Sequence, residues 1–144
     1  MSKKYNFPYL KTPKFKGVGG DWRKRPLIPV TIRHKGITVS YLALVDSGAD
    51  LCVFPAQIGE LLGIDIKSGT SGALSGVIGK SGKIYYHDIV VEIGGNSTQV
   101  NAGFSYSKKI QCGFLGQKGI FNIYIVEFQY RKEVVELRPY QNVN

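Results

Sequence analysis

The chain consists largely of short apolar runs separated by turn-forming residues. LIPVTIRH and ITVSYLALV are β-branched runs on either side of His34-Lys35-Gly36, and this arrangement predicts a hairpin. KIYYHDIVVEI alternates apolar and polar positions, as expected of a strand with one buried face. IYIVEFQY and VVELR flank the charged turn Arg131-Lys132-Glu133 and predict a final hairpin. We therefore predict an all-β domain.

Two segments depart from this strand pattern. PAQIGELLG carries Ile58, Leu61 and Leu62 on one helical face, and Pro55 and Gly63 mark its ends, so we predict one short helix there. KGIFN, after the apolar run IQCGFLGQ, predicts a helical turn. The segment 68–82 contains five Gly and four Ser between two strands, and it is interpreted either as a flexible hairpin or as a mobile lid.

Length and composition are those of one globular domain. The chain has 144 residues, of which 43% are hydrophobic and 20% are charged. No run has the length of a signal peptide core or a membrane span, so we expect a cytoplasmic protein without membrane contact and with Cys52 and Cys112 reduced. The two Cys and two His are widely and irregularly spaced, so we expect no metal and no cofactor.

The positive charge is concentrated at the N-terminus. The formal net charge is +9, and residues 1–26 contribute +7 through eight Lys and Arg against the single acid Asp21. We therefore predict a basic N-terminal arm at 1–24 and a nearly neutral domain at 25–140. The arm is interpreted as a solvated extension or, through residues 1–25, as a contact for nucleic acid or another acidic partner.

The most informative chemistry lies in ALVDSGADLC. Asp46 directly follows the apolar run Leu42–Val45, where a lone carboxylate is costly unless it has hydrogen-bond partners or a chemical role. Two carboxylates that share one proton can act as base on a water and as acid on a carbonyl. The chain holds one D-S-G loop, so a twofold homodimer would supply the second copy.

At this point the sequence resembles the retropepsin-like aspartic proteases, including their stand-alone prokaryotic members. LALVDSGADLCVF is similar to the family's active-site loop, and Phe114-Leu115-Gly116 before QKGIF is similar to its second signature. Arg25-Pro26-Leu27-Ile28, shortly after Trp22, resembles the start of the retroviral protease domain. The resemblance spans about residues 22–138. It implies a retropepsin-like β-barrel lobe, with the short helix following the catalytic loop and the helical turn following Phe114-Leu115-Gly116.

The resemblance also implies roles for individual residues. Asp46 would be the catalytic acid, paired with its symmetry copy, and Ser47 and Gly48 would complete the catalytic loop. The substrate-binding residues would be Gly48, Ala49 and Asp50 together with the flap residues Gly76, Val77, Ile78 and Gly79. Phe114, Leu115 and Gly116 would support the site from below. The implied activity is an aspartic endopeptidase that cleaves extended peptides as a homodimer, without cofactor.

Two features differ from the retroviral pattern. Gln117 stands where many retroviral members carry an Arg that pairs with the acid equivalent to Asp50, although Arg25 of a partner subunit could serve Asp50 instead. Residues 1–21 have no counterpart in the compact retroviral domain and could be a pro-segment, a tether or an added strand. The alternative functions are a non-catalytic dimerisation or peptide-binding module and, ranked last, nucleic-acid binding as the main role.

Overall fold

The computed structural model describes residues 3–13, 22–73 and 82–141. Its one α-helix, α1, spans Ala56–Leu61, and two short 3-10 turns span Ile66–Ser68 and Tyr130–Lys132. The strands are β1 (Tyr5–Pro8), β2 (Leu10–Pro13), β3 (Trp22–Arg25), β4 (Leu27–His34), β5 (Ile37–Val45), β6 (Val53–Pro55), β7 (Thr70–Ala73), β8 (Lys83–Ile93), β9 (Asn96–Ser105), β10 (Gly113–Leu115), β11 (Tyr124–Gln129) and β12 (Val134–Pro139).

Six strands form a closed barrel. They follow the order β4-β5-β10-β6-β9-β8, and the pairing of β8 with β4 closes the ring, while β7 extends from β8 as a hairpin partner. The predicted hairpin around Lys35-Gly36 is present as β4–β5, and the predicted helix is present as α1. The prediction of an all-β barrel lobe with one short helix is confirmed.

The barrel interior is filled by the apolar positions of alternating strands. In β4, Ile28, Val30 and Ile32 are buried while Pro29 is exposed, which is the period-two pattern of a strand with one buried face. Phe54 and Phe104 lie 5.9 Å apart between ring centroids in the same core. Burying these side chains removes them from water and supplies the main stabilisation of the barrel.

Part of the basic arm is built into the fold as a strand. β1 pairs antiparallel with β12, which in turn pairs with β11, so these three strands form a second sheet. Tyr5, Phe7 and Tyr9 pack against the main core. β2 and β3 pair with each other as a separate two-stranded ribbon.

Candidate active site

Asp46 lies where three strands of the barrel meet. β10 lies between β5 and β6 and is parallel to β5, with Leu115 opposite Val45. Residues 46–52 join β5 to β6 and must therefore pass the end of β10. This crossing brings the loop after β5 and the loop after β10 side by side, so the two sequence signatures meet in space.

Main-chain hydrogen bonds fix the conformation of this loop. The Asp46 amide donates to the Leu115 carbonyl at 3.0 Å, and the Ala49 amide donates to the Asp46 carbonyl at 3.2 Å. The Gly48 amide donates to Asp46 Oδ1 at 2.9 Å. One carboxylate oxygen thus has a local donor, while the Asp46 side chain remains only partly buried. A carboxylate held in this way is oriented and still accessible to a reactant.

The loop after β10 supports the Asp46 loop from below. The amides of Gln117 and Lys118 donate to the carbonyls of Ala49 and Asp50 at 2.8 and 2.9 Å. A Cβ on Gly116 would lie 2.3 Å from the Leu51 carbonyl oxygen and 2.6 Å from that of Ala49. Only glycine fits at this position, because both obstructing atoms belong to the main chain.

The Gln117 side chain has a role that sequence patterns did not predict. Its Nε2 donates to the Ser47 carbonyl at 2.6 Å, within the same chain. Gln117 therefore bonds the loop that carries Asp46. The sequence gives no signal for this contact, because Gln117 and Ser47 are seventy positions apart and meet only through the β5–β10 crossing.

Two polar groups of the loop point outward. Ser47 and Asp50 are exposed, and within the described part of the chain neither the Ser47 hydroxyl nor the Asp50 carboxylate has a hydrogen-bond or ion-pair partner. Gly48 is exposed and Ala49 is partly buried. The polar groups of segment 46–50 are therefore available to a molecule that binds at this surface.

Cys112 is an electrostatic neighbour of the site that the sequence analysis did not assign to it, and Arg25 of the same chain acts on its thiol. Partial burial raises the pKa of Cys112; Arg25 opposes this shift, and Asp46 adds to it. The Gly113 amide next to this thiol donates to the Tyr41 hydroxyl at 2.9 Å. Cys112, on the segment that enters β10, therefore lies within the field of both Asp46 and Arg25.

The second-signature residues separate the candidate site from the core. Phe114 is partly buried against a small apolar cluster of Val53, Ile84 and Ile110, while Leu115 and Gly116 are buried. This cluster is distinct from the main barrel core. It forms an apolar wall next to the loop that carries Asp46.

The base of the predicted flap is the β7–β8 hairpin. Thr70 pairs with Tyr86 and Ala73 with Lys83, and His87 Nε2 lies 2.8 Å from the Ile66 carbonyl, anchoring the chain just before β7. The predicted substrate-binding residues Gly76, Val77, Ile78 and Gly79 lie outside the described residues. Their assignment stays a prediction.

The described residues also bear on metal binding and on membrane insertion. The part of the chain that the structure describes contains no cluster of three or more His, Cys, Asp or Glu side chains that could hold a metal ion. None of its helices is long and apolar enough to cross a membrane. Cys52 and Cys112 are both free thiols.

Comparison with solved structures identifies the class of fold. A retropepsin-like aspartic protease from Rickettsia conorii matches with a TM-score of 0.61 and 12% sequence identity, over 96% of this chain and 94% of that one. EIAV protease complexed with the inhibitor HBY-793 matches with a TM-score of 0.51 and 18% identity, over 72% of this chain and 88% of that one. No protein-family model and no curated protein sequence matches the chain. The chain has the retropepsin-like fold, as the sequence resemblance predicted.

Proposed function

We propose that the protein is a homodimeric aspartic endopeptidase in which Asp46 of each subunit supplies one carboxylate of the catalytic pair. The observation that carries this proposal is the position of Asp46. It lies at the β5–β10 crossing of a retropepsin-like fold, oriented by the Gly48 amide and only partly buried. Ser47 and Gly48 complete the catalytic loop.

The proposed chemistry uses one proton shared between two carboxylates. The ionised carboxylate takes a proton from a water, whose oxygen then bonds to the carbonyl carbon of the scissile peptide. The protonated carboxyl gives its proton to the carbonyl oxygen, which yields a tetrahedral diol. Collapse of the diol breaks the C–N bond: one diol hydroxyl returns its proton to the carboxylate pair, and the nitrogen takes a proton from the pair. A carboxylic acid and an amine leave, and the pair again holds one shared proton. No cofactor is required.

Substrate binding is assigned to the rim of the same loop and to the flap. Gly48, Ala49 and Asp50 would bond an extended peptide backbone, and residues 76–79 would cover it and exclude water. Phe114, Leu115 and Gly116 would support this loop from below. The exposed, unpartnered Asp50 carboxylate supports this role, since its hydrogen-bonding capacity is unused within the described chain.

The dimer is part of the proposal because one chain holds one D-S-G loop. Two carboxylates can share a proton only when they are within a few ångströms of each other, and a twofold axis beside Asp46 provides that arrangement. The outward-facing Ser47 hydroxyl and Asp50 carboxylate would then be available to the second copy. Arg25 of the partner could form an ion pair with Asp50, which the uncharged Gln117 cannot do.

Cleavage of a mixed peptide library at mildly acidic pH tests the proposal. Asp46→Asn should abolish cleavage while the protein remains a folded dimer. Asp88→Asn is the matched control, because it removes the same charge from an exposed acid that bonds Asn101 on the barrel wall. Cleavage that survives in Asp46→Asn, or a wild-type protein that stays monomeric while it cleaves, would contradict the assignment.

A further inference from the structure

The two-stranded ribbon β2–β3 carries cations on both of its faces. Residues directly opposite each other in an antiparallel pair share a face, so Lys11 and Lys24 lie together on one face. Arg23 and Arg25, two residues apart in β3, lie on the other. Lys11 and Lys24 are exposed, and Arg23 and Arg25 are partly buried.

This arrangement concentrates positive charge in one ribbon. Like charges directly opposite in a sheet are destabilising, yet Lys11 faces Lys24. Residues 1–26 hold eight cations and one acid, while the remainder of the chain carries only +2. Four of these cations, Lys11, Arg23, Lys24 and Arg25, lie in the ribbon, and such a concentration of like charge attracts an anionic ligand.

The acid that contacts the ribbon can exchange with such a ligand. Lys24 Nζ pairs with Glu133, and the side chains of both are about half exposed, at 49% and 47%. Exposed pairs of this kind contribute about 0–1 kcal/mol. A carboxylate from another molecule can therefore replace Glu133 at Lys24 at little cost.

The C-terminal end of strand β3 lies at the edge of the candidate active site. β3 ends at Arg25, and the carbonyl of the next residue, Pro26, accepts a hydrogen bond of 3.0 Å from the amide of Val45, the residue before Asp46. Arg25 acts on Cys112 together with Asp46. A peptide bound in the candidate active site would therefore lie close to the positively charged side chains of the ribbon.

The ribbon also has strand edges. Within the described ranges, β2 pairs only with β3 and β3 only with β2. An extended peptide can add to such an edge through main-chain hydrogen bonds. Its side chains then alternate between the two faces, so acidic residues two positions apart meet the same pair of cations.

We propose that the β2–β3 ribbon is an exosite that binds an acidic, extended segment of the substrate outside the scissile bond. This inference rests on the proposed function and specifies its substrate class. The preferred substrates carry Asp or Glu clusters beside the cleavage site. An acidic peptide fits better than a nucleic acid, because it uses the strand edges as well as the cations and because the ribbon adjoins a peptide-cleaving site.

Binding to the Asp46→Asn protein tests the exosite without requiring cleavage. The probes are two fluorescent peptides that share one neutral segment and differ in an extension of alternating Glu or alternating Gln. We expect the Glu peptide to bind about tenfold more tightly at low ionic strength, with a difference that shrinks as salt screens the ribbon. Fluorescence anisotropy gives both Kd values.

Charge variants assign the preference to the ribbon. Lys11→Gln/Lys24→Gln, made on the Asp46→Asn chain, should reduce the ratio of the two Kd values to about one. Lys35→Gln/Lys67→Gln is the matched control: it removes the same charge from exposed lysines outside the ribbon and the catalytic loop, and it should leave the ratio intact.

Three results would overturn the proposal. The first is equal binding of the two peptides, and the second is a ratio that survives Lys11→Gln/Lys24→Gln. The third is a single-stranded oligonucleotide that binds more tightly than the Glu peptide with the same dependence on Lys11 and Lys24, which would assign the ribbon to nucleic acid. A wild-type protein that cleaves no member of the mixed peptide library would refute the proposed function alone, and the Kd ratio would still decide the exosite.

Discussion

Replacing Gly116 by Ala should displace the loop that carries Asp46, although the change adds only one methyl group. The added methyl carbon would lie 2.3 Å from the Leu51 carbonyl oxygen and 2.6 Å from the Ala49 carbonyl oxygen. Neither atom can rotate away, because both belong to the main chain that carries Asp46. Overpacking of this kind costs about 1–3 kcal/mol. Displacing Ala49 also weakens the 2.8 Å hydrogen bond from the Gln117 amide, for about 1 kcal/mol more.

Thermal unfolding and peptide cleavage measure the two consequences. A loss of about 2–4 kcal/mol should lower the Tm by roughly 6–12 °C in a chain of this size, and kcat should fall because Asp46 shifts with its loop. Gly95→Ala is the control: Gly95 has φ +86 and nothing within 4 Å of an added Cβ, so only backbone strain of about 1 kcal/mol applies. A Gly116→Ala protein with wild-type Tm and wild-type kcat would refute this reasoning.

Three further predictions concern the same loop and the thiols. Gln117→Ala removes the 2.6 Å bond from Nε2 to the Ser47 carbonyl and should lower the unfolding free energy in urea by about 1 kcal/mol; unchanged stability would contradict a supporting role. Burial raises the pKa of the Cys52 thiol from 9.0 to about 11. The folded state therefore keeps the thiol protonated at pH values where the unfolded state ionises it, so the contribution of the buried thiol to the free energy of unfolding is complete below pH 9 and is lost as the pH rises through 11. Between about pH 8 and 11 the wild type should therefore lose roughly 2 kcal/mol more than Cys52→Ala, and parallel pH profiles would contradict the shift. A thiol reagent at neutral pH should modify partly buried Cys112 in the folded protein and Cys52 only after unfolding; equal rates would contradict the burial difference.

The barrel could be predicted from sequence because its signals are local. The local sequence signals are the β-branched run of β4, the apolar alternation of β8, the turn at Lys35-Gly36 and the helix boundaries at Pro55 and Gly63. Each depends on neighbouring residues only. The order of the two signatures along the chain was enough to expect the retropepsin-like fold. The structure brings Asp46 and Gly116 together as that fold requires.

The remaining features depend on contacts between distant residues. Tyr5, Phe7 and Tyr9 alternate with polar positions as a strand does, but the surrounding lysines obscured this pattern, and only the partner β12 explains why they are covered. The bond from Gln117 to Ser47 requires the β5–β10 crossing. The placement of Cys112 beside Arg25 and Asp46 likewise follows from the tertiary fold.

The central claim is that two copies of Asp46, one from each subunit, act together. Mixing wild-type and Asp46→Asn chains at constant total concentration, with time for subunits to exchange, tests it most directly. If both carboxylates are needed, activity follows the square of the wild-type fraction, so an equal mixture with random pairing should retain about one quarter of the activity. Retention of about one half, in proportion to the wild-type fraction, would show that each chain acts alone and would contradict the account.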